Sequence, residues 1–198
     1  MKTMDLKDYL ALREGAVVLE ADPHGDKVLR LVDGTIFKLF RRKRLVTSAA
    51  LFPYALRFVK NAQALARLGV PVPKVLNLVR IPAIARDAVH YAPLEGETLR
   101  GMARVGLAQA DERKLKSLFT RFVIELHDRG IYFRSLHIGN VVCTPDGRLG
   151  LIDFSDLRIY PWRLGRYLRA RNMRRMQGIA DERDWLDIDA ILQRKVEA

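Results

Sequence analysis

The most informative part of the sequence is Leu126-His127-Asp128-Arg129-Gly130-Ile131-Tyr132-Phe133-Arg134-Ser135-Leu136-His137-Ile138-Gly139-Asn140-Val141-Val142, followed by Leu149-Gly150-Leu151-Ile152-Asp153-Phe154-Ser155. Its pattern predicts the end of an amphipathic helix, a polar loop, and two short apolar strands joined by a turn at Pro145-Asp146-Gly147. Because apolar strands fix the backbone, polar residues at their ends can point into one shared cleft. Asn140 and Asp153 stand at such ends and offer side-chain oxygen, the kind of ligand that Mg²⁺ prefers.

This arrangement resembles the catalytic half of the protein-kinase-like fold, in which the pattern H-R-D-x-x-x-x-N is followed by an apolar hairpin and then by D-F-G. Here the first element is Phe133-Arg134-Ser135 followed by Asn140, and the second is Asp153-Phe154-Ser155. The variant Leu136-His137-x-Gly139-Asn140 is closer to the branch that phosphorylates small molecules and lipopolysaccharide than to Ser/Thr kinases. The resemblance covers about residues 15–160.

The resemblance implies that ATP and Mg²⁺ are bound, with Asn140 and Asp153 as the metal ligands and Asp153 also in the catalytic set. Ser135 stands where the family has its catalytic Asp, which is a departure from the pattern. A serine alone has no lone pair basic enough to take the proton of an acceptor hydroxyl at neutral pH, and losing such assistance slows transfer by ~10²–10⁴-fold. His137 or Asp156 lies nearby in the sequence and could replace the missing carboxylate.

Three strand candidates lie in the N-terminal part of the chain: Ala16–Leu19, Lys27–Leu31 and Thr35–Phe40. The turn-forming segments Asp22–Asp26 and Asp33-Gly34 separate them, so the three strands are expected to form an antiparallel meander. In kinase-like folds such a meander covers the ATP.

The resemblance gives Lys38, on the third strand, the contact to the ATP phosphates, and it places the turn with Gly25 over them. The alternative is that Lys38 lies on the solvent face of an alternating strand; the downstream motif favours the phosphate role. Gly25 is one glycine and not a glycine-rich triplet, so its phosphate role rests on position. Backbone groups between Tyr91 and Leu94 correspond to the hinge that binds adenine, and Pro93 has no N–H to donate there.

The segment Tyr54–Leu68 is helical by its apolar period, and in the family a helix here presents a glutamate to the strand lysine. Residues 41–86 contain no Asp or Glu, so Asn61 or Gln63 must take that position or nothing does. An amide can hydrogen-bond an ammonium group but supplies no charge, so the lysine would be held less firmly.

Three more helical segments are predicted downstream. Asp111–Asp128 has a continuous apolar stripe with acidic residues at its start. Residues 158–176 carry seven arginines interleaved with apolar side chains and predict one helix or two. Such a basic amphipathic helix can pack with a solvated outer face, lie on an anionic membrane or hold phosphates. Asp181–Val196 predicts a closing helix.

The net charge of +12 indicates a polyanionic neighbour, and charge alone does not choose among nucleic acid, an anionic membrane surface and phosphorylated sugars. The run Arg41-Arg42-Lys43-Arg44 is either a solvated face or a contact for anionic headgroups. The single cysteine, Cys143, excludes an internal disulfide and fits a reducing cytosol. The first residues have no apolar run after their charges, so no signal peptide is expected, and no apolar stretch of about 18 residues is present to span a membrane. We expect a cytoplasmic protein, with association at the inner face of the cytoplasmic membrane as an option.

The sequence therefore predicts an α+β protein with a kinase-like two-lobe fold. Residues 1–92 form a nucleotide-covering lobe with a small antiparallel sheet, and residues 93–198 form a reduced, mainly helical lobe that carries the catalytic-loop-like hairpin. The first functional hypothesis is an ATP-dependent kinase resembling those that act on heptose or 3-deoxy-manno-octulosonate, with the phosphorylated lipopolysaccharide core as partner. The second is a pseudokinase that binds nucleotide or acts as a scaffold. A nucleic-acid-binding module ranks last because it rests on charge alone.

Overall fold

The computed structural model describes residues 1–41 and 53–194. Several helices and a sheet with both parallel and antiparallel neighbours occur together in it, which confirms the α+β class. Within the cationic run that starts at Arg41, residues 42–44 lie outside the described residues. None of the described helices combines the length and the apolar character that crossing a bilayer requires.

The chain divides into two compact units. The first unit comprises Met1–Arg67 and Val72–Leu94, and the second comprises Leu68–Pro71 and Glu95–Ala198. The chain thus passes from the first unit to the second after Leu94, whereas the boundary expected from the sequence stands after residue 92. The short segment before the fifth strand, which the sequence placed in the first lobe, belongs to the second unit.

The first unit is built on six strands: β1 (Lys2–Thr3), β2 (Val17–Asp22), β3 (Gly25–Arg30), β4 (Ile36–Arg41), β5 (Lys74–Ile81) and β6 (Arg86–Ala92). They lie in the order β1-β5-β6-β4-β3-β2, with β1 parallel to β5 and every other neighbouring pair antiparallel. The predicted meander is confirmed as β2, β3 and β4. The alternation of buried and less buried residues along β4 fixes its register, because a slip by one residue would turn its apolar side chains to the other face.

Helix α1 (Leu6–Arg13) packs on one face of this sheet. The side chain of Asp5 caps it by accepting a hydrogen bond from Asp8 N at 2.8 Å. Tyr9 of α1 enters a buried apolar cluster with Phe37 and Leu39 of β4. Helix α1 and β4 therefore share one core.

Helix α2 (Tyr54–Arg67) packs on the opposite face and confirms the helix expected from the apolar period. Its buried stripe is Ala55, Phe58, Ala62 and Leu65. The Phe58 ring lies 6.3 Å from the Phe40 ring of β4. Because successive side chains of a strand point to opposite faces, Lys38 lies on the same side of β4 as Phe40, the side that α2 covers.

The second unit holds five short strands: β7 (Glu97–Thr98), β8 (Ile131–Tyr132), β9 (Val141–Cys143), β10 (Leu149–Leu151) and β11 (Arg158–Ile159). Strands β10, β9 and β7 form one antiparallel sheet, and β11 pairs with β8 in another. The helices are α3 (Leu99–Val105), α4 (Gln109–Asp128), α5 (Arg166–Gln177) and α6 (Ile188–Gln193), with 3₁₀ helices at Ile138–Asn140 and Ala180–Trp185.

Helix α4 confirms the predicted helix and is the longest of the described helices. Its inward side chains include Leu115, Phe119, Phe122, Val123 and Leu126. The helix ends at Asp128, and Gly130 follows with φ +75°. A glycine is needed there because other residues adopt this left-handed conformation only at a cost.

The prediction for the arginine-rich segment is wrong over its first part. Residues 158–165 form β11 and a loop, and α5 begins only at Arg166. Pro161 lies in this stretch and has no N–H for a helical hydrogen bond. The pairing of β11 with β8 also holds the start of the segment in an extended conformation.

The predicted closing helix is also partly wrong. Residues 180–185 form a 3₁₀ helix, and α6 begins separately at Ile188. The break falls at Asp187, whose side chain accepts a hydrogen bond from Ala190 N at 2.8 Å. An aspartate that bonds the backbone in this way favours a helix start over a helix interior.

Replacing Gly130 by alanine tests how closely the loop after β11 approaches the end of α4. A Cβ at Gly130 would overlap the carbonyl oxygens of Tyr160 and Trp162. We expect Gly130→Ala to cost ~1–2 kcal/mol of unfolding free energy through backbone strain and a further ~1–3 kcal/mol through overlap. Urea unfolding followed by circular dichroism measures the loss.

The matched control is Gly69→Ala. Gly69 follows α2 as Gly130 follows α4, it has the same φ of +75°, and no atom lies within 4 Å of the position that its Cβ would occupy. This variant should therefore show the strain cost without the overlap cost. Equal losses in the two variants would contradict the close approach.

Candidate functional site

Asn172 of α5 fixes the start of the loop between β8 and β9. Its amide nitrogen donates to Phe133 O at 2.5 Å, and its amide oxygen accepts from Phe133 N at 3.2 Å. The same oxygen lies 3.1 Å from Nε2 of the buried His127. Because these polar groups are buried and paired with one another, the loop begins from a rigid position.

His127 is part of this buried frame and not of the loop itself. Burial lowers its pKa to about 4, against the smaller opposing effect of its hydrogen bond to Asn172. Its Nδ1 is buried with no hydrogen-bond partner in the described part of the chain. The ring is therefore neutral at neutral pH, with Nε2 assigned as the donor to Asn172.

Asn140 is the last residue of the loop, and its side-chain amide contacts the backbone in the middle of the loop. Asn140 Nδ2 donates to Ser135 O at 2.9 Å. This bond assigns the orientation of the amide, because only the nitrogen can donate to a carbonyl oxygen. Within the described residues no donor reaches Asn140 Oδ1. The oxygen is thus the atom that can serve a ligand.

Asp153 leaves β10 in a left-handed backbone conformation, with φ +51°. Its side chain is exposed, whereas the next residue, Phe154, is fully buried. A non-glycine residue at positive φ costs on the order of 1–3 kcal/mol, and such outliers cluster at functional sites. The buried Phe154 ring and the hydrogen bond from Leu157 N to Phe154 O, 3.1 Å, hold this turn in place.

Asn140 and Asp153 lie at the same end of one hairpin. Val141 pairs with Leu151, and Ile152 N donates to Asn140 O at 3.0 Å. Two oxygen ligands suit Mg²⁺, which commonly takes the rest of its shell from water and substrate phosphates. No group of three or more His, Cys, Asp or Glu in residues 1–41 and 53–194 could hold a metal ion by itself. The two side-chain oxygens at this hairpin end fit a metal ion that prefers oxygen ligands.

Ser135 and Asp156 are joined by a hydrogen bond that the sequence did not reveal. Ser135 Oγ donates to Asp156 Oδ2 at 2.5 Å. The other carboxylate oxygen, Asp156 Oδ1, is buried and has no hydrogen-bond partner in the described structure. A carboxylate therefore stands beside position 135, although the residue at that position is a serine.

His137 caps the 3₁₀ helix that follows it. Its Nδ1 accepts from Gly139 N at 3.1 Å and lies 3.2 Å from Nη2 of Arg100. Burial lowers the pKa of His137 and the charge of Arg100 lowers it further, against smaller raising effects that include Asp153. The neutral ring carries its proton on Nε2, so its lone pair at Nδ1 is already in use. This geometry suits a capping role.

Arg100 and Glu182 support the same turn from outside the loop. Arg100 Nε donates to Glu182 Oε1 at 2.9 Å, and Ile138 N donates to Glu182 Oε2 at 3.2 Å. Glu182 is buried. Removing Arg100 alone would therefore leave a buried carboxylate without its cation, which is strongly destabilising. A Cβ at Gly139 would overlap the guanidinium of Arg100, so any larger residue there would displace Arg100 from this turn.

A cavity of about 500 Å³ opens beside this support. Its lining includes Arg100, Arg104, Ile138, Asp181, Glu182 and Trp185. Charged groups of both signs and one indole ring make it suited to a polar ligand. The cavity borders the loop through Ile138.

The first unit carries the other predicted residues. Lys38 is half-buried in β4, opposite Val28 of β3 and Val89 of β6. Its Nζ lies 5.8 Å from the centre of the Phe40 ring. Gly25 begins β3 with φ +109°, a conformation that favours glycine.

Tyr91 and Leu94 lie at the end of the first unit. Tyr91 is inside β6, paired with Ile36 and Val75 on its two sides. Its ring stacks on Phe58 with the centres 5.3 Å apart. Leu94 follows the strand and is the last residue of the unit.

Asn61 or Gln63 was expected to take the position of the missing helix carboxylate, unless no residue does. On α2, Asn61 is half-buried and Gln63 is exposed. Asn61 is the one on the more buried side of the helix. The described part of α2 contains no acidic residue.

The structure thus brings together Ser135, His137, Asn140 and Asp153 in the second unit, whereas Gly25, Lys38, Tyr91 and Leu94 belong to the first unit. Sequence reasoning missed Arg100, Glu182 and Asn172. No local signal could have found them, because Arg100 and Glu182 are 82 positions apart and Asn172 bonds a residue 39 positions away. The sequence showed that Asp156 is a nearby carboxylate. Its hydrogen bond to Ser135 is known only from the structure.

No model of a known protein family matches this sequence, and no curated protein is significantly similar to it.

Replacing His127 by glutamine tests the buried frame through its pH dependence. The pKa of about 4 in the folded chain lies below the ordinary value of 6.5. Between these values the unfolded chain binds a proton that the folded chain does not, so the free energy of unfolding falls as pH drops from 6.5 towards 4. This pH-dependent part of the free energy of unfolding is on the order of 3 kcal/mol. It is fully present above pH 6.5 and is lost as the pH falls through about 4.

We expect His127→Gln to flatten this slope, because glutamine does not titrate and keeps an N–H donor for Asn172. His24→Gln, at an exposed turn, is the control and should keep the slope of the native chain. Urea unfolding at several pH values measures all three proteins. An unchanged slope in His127→Gln would contradict the neutral buried imidazole.

Proposed function

We propose that this protein is a MgATP-dependent phosphotransferase with a protein-kinase-like fold, similar to the kinases of lipopolysaccharide core sugars. The observation that supports the proposal most is the position of Asn140, which is held by the Ser135 carbonyl at the same hairpin end as Asp153. A loop asparagine, an apolar hairpin and an exit aspartate, in this order, are the parts with which kinases hold their magnesium ions.

In this proposal the residues of the chain position the metal ion and supply a positive charge for the phosphates. Asn140 Oδ1 and the Asp153 carboxylate would hold Mg²⁺, and Lys38 would supply the phosphate-binding cation. Bound Mg²⁺ would neutralise charge on the phosphates. Phosphoryl transfer depends mainly on such positioning and neutralisation, so rigid support of the two oxygen ligands is what the site must provide.

The two-lobe fold is part of the same proposal. It is supported by the antiparallel meander β2-β3-β4 with Lys38 on its third strand, and by α2 on the face of β4 that carries Lys38. In the second unit, α4, the loop and the β9-β10 hairpin follow in the order that the resemblance requires.

A pseudokinase is the second candidate, and two sequence features favour it. Ser135 occupies the place of the catalytic carboxylate, and residues 41–86, where the family has its helix glutamate, contain no acidic residue. In this candidate the site binds MgATP but transfers little or no phosphate, and the protein acts through a partner.

MgATP should raise the melting temperature of the native chain. At 100 times its Kd, a ligand adds about 2.7 kcal/mol, which corresponds to roughly 5–10 °C for a protein of this size. Asp153→Asn should remove most of the shift, because it removes a charged metal ligand while asparagine tolerates the positive φ. Differential scanning fluorimetry with and without Mg²⁺ measures it.

Asp189→Asn is the matched control, since Asp189 is an exposed aspartate of α6. It should keep the full shift. Lys38→Met tests the first unit separately and should weaken the shift by removing a cation. If the native chain shows no MgATP-dependent shift, both the kinase and the nucleotide-binding pseudokinase are excluded.

If the shift is found, transfer of labelled γ-phosphate to purified lipopolysaccharide core distinguishes the kinase from the pseudokinase.

The acceptor is proposed to be anionic and membrane-bound, because one exposed surface is strongly basic. Residues 158–180 contain no Asp or Glu. Six exposed arginines lie in this stretch, and none forms an ion pair within the described residues: Arg158, Arg163, Arg166, Arg171, Arg174 and Arg175. Trp162 and Tyr167 are 62% and 69% exposed. We call these eight residues the arginine surface.

The arginine surface suits an anionic membrane. On α5, Tyr167, Arg171 and Arg174 recur at helical spacing on the side opposite the buried residues Asn172 and Met173. Exposed tryptophan and tyrosine prefer the headgroup region, and each arginine near an anionic bilayer adds about 1 kcal/mol. Asn172 of the same helix bonds Phe133 at the start of the loop, so this surface adjoins the loop.

Charge reversal on this surface should weaken binding to anionic vesicles. Sedimentation with vesicles of phosphatidylglycerol and phosphatidylcholine measures it, and vesicles of phosphatidylcholine alone give the baseline. We expect Arg171→Glu with Arg174→Glu to weaken binding roughly 30-fold or more, from about 1 kcal/mol for each lost cation.

Arg113→Glu with Arg121→Glu on α4 changes the net charge equally at another exposed site and should retain binding. Equal losses in the two double variants would show that only net charge matters and would contradict the assigned surface. Salt-sensitive RNA binding that depends on the same two arginines, without vesicle binding, would favour the nucleic-acid-binding module.

A further inference from the structure

We propose that Ser135 and Asp156 act together as a proton relay that replaces the carboxylate expected at position 135. This inference rests on the proposed phosphotransferase function and names the groups that receive the proton of the acceptor hydroxyl. Ser135 is the catalytic residue, because its hydroxyl is the group that contacts the acceptor. Asp156 is a positioning residue that acts through Ser135.

The geometry of the pair supports a relay. The 2.5 Å bond from Ser135 Oγ to Asp156 Oδ2 is short, as expected when a hydroxyl donates to an ionised carboxylate. The hydroxyl oxygen keeps lone pairs for a second hydrogen bond, so it can accept from an acceptor hydroxyl while it donates to Asp156. Ser135 is only half-buried, which leaves it open to an acceptor.

The second oxygen of Asp156 also favours this role. Asp156 Oδ1 is buried without a hydrogen-bond donor among the described residues. A buried acceptor without a partner costs stability, and a hydrogen bond that served only to hold the loop would not explain this cost. A carboxylate that receives a proton during turnover gives such a group a function.

The other groups of the loop are less suited to take the proton. Nδ1 of His137 already accepts a hydrogen bond from Gly139 N. Asp153 is assigned to the metal, which withdraws its lone pairs from proton transfer. Ser135 alone is too weak a base at neutral pH. Asp156 is the remaining carboxylate, and its Oδ2 accepts a hydrogen bond from Ser135 Oγ.

The proposed phosphoryl transfer is the same for any acceptor hydroxyl. The acceptor oxygen attacks the γ-phosphorus of ATP, and the bond from that phosphorus to the bridging oxygen breaks. ADP leaves with the electron pair of the broken bond. The proton of the acceptor hydroxyl passes to Ser135 Oγ while the serine proton passes to Asp156 Oδ2, so the enzyme ends the step with a neutral Asp156. Water exchange then returns this proton to the solvent.

Water serves as the acceptor in the test, so ADP release by the full chain is measured with MgATP alone. Asp156→Asn keeps an amide oxygen that can accept from Ser135 but cannot take its proton. We expect kcat to fall by ~10²–10⁴-fold with the MgATP-induced melting shift and KM unchanged. Asp189→Asn and Ser117→Ala, at positions outside the loop, should keep the native kcat.

The relay predicts that its two members do not add. Ser135→Ala should lower kcat about as far as Asp156→Asn, and the double variant should be no slower than either by more than about 3-fold. Independent, multiplying losses would overturn the relay. A native kcat in Asp156→Asn would overturn it as well, while the melting shift with MgATP would leave the proposed function standing.

A carboxylate exchange separates the relay from a decayed site. Ser135→Asp with Asp156→Asn returns the carboxylate to position 135 without a second one beside it, and should recover kcat to within about 10-fold of the native chain. Ser135→Asp alone places two carboxylates in contact, which disfavours the charged form of one of them, and should be slower than the native chain. A faster Ser135→Asp enzyme would show a degenerate site and overturn the relay.

The division between kcat and KM distinguishes proton transfer from a structural role. If Asp156→Asn only disturbed the loop, Asn140 and Asp153 would be displaced, and the KM for MgATP and the melting shift would change together with kcat. A lower kcat with KM and the melting shift unchanged assigns Asp156 to proton transfer. A loss of the melting shift that matches the loss of kcat would assign it to loop structure alone. If neither MgATP binding nor ADP release is found in the native chain, the proposed function fails and the relay with it.

Discussion

The hydrogen bond from Asn140 Nδ2 to the carbonyl of Ser135 is the constraint on which the candidate site depends. It closes the loop on itself, and the bond from Ile152 N to Asn140 O ties the closed loop to the exit of β10. Each bond adds only about 0.5–1.5 kcal/mol to stability. Their larger effect is geometric, because together they decide which atoms of Asn140, Ser135 and Asp153 remain available to a ligand.

This closed loop is held from outside by buried polar side chains on elements far away in the sequence. Asn172 bonds both backbone groups of Phe133, and Glu182 receives Ile138 N while it pairs with Arg100. Buried polar networks are stable only when their members are satisfied together, and they fix one conformation when they are. The arginine-rich C-terminal segment therefore has two sides. One supports the loop through Asn172, and the other exposes arginines that form no ion pair within residues 1–41 and 53–194.

Local patterns in the sequence were sufficient for the regular elements but not for the support of the site. Helices α2 and α4 followed from apolar period, and β2, β3 and β4 followed from alternation between turn residues. The break at Asp187 was missed because a capping side chain outweighed a continuous helical pattern. Arg100 and Glu182 could not be predicted, since a buried ion pair between positions 82 residues apart leaves no period or motif.

The serine at position 135 shows why a motif alone is an incomplete criterion for activity. A motif records which residue occupies a position, whereas proton transfer depends on which atoms lie within hydrogen-bond distance. In this loop the carboxylate is absent from position 135 and present 2.5 Å from its side chain, contributed by Asp156 beyond the next hairpin. The exit segment therefore holds two carboxylates, Asp153 and Asp156, and one of them contacts the loop. Whether a site has decayed is thus a question about the spatial position of its charges, and a substitution at one motif position does not answer it.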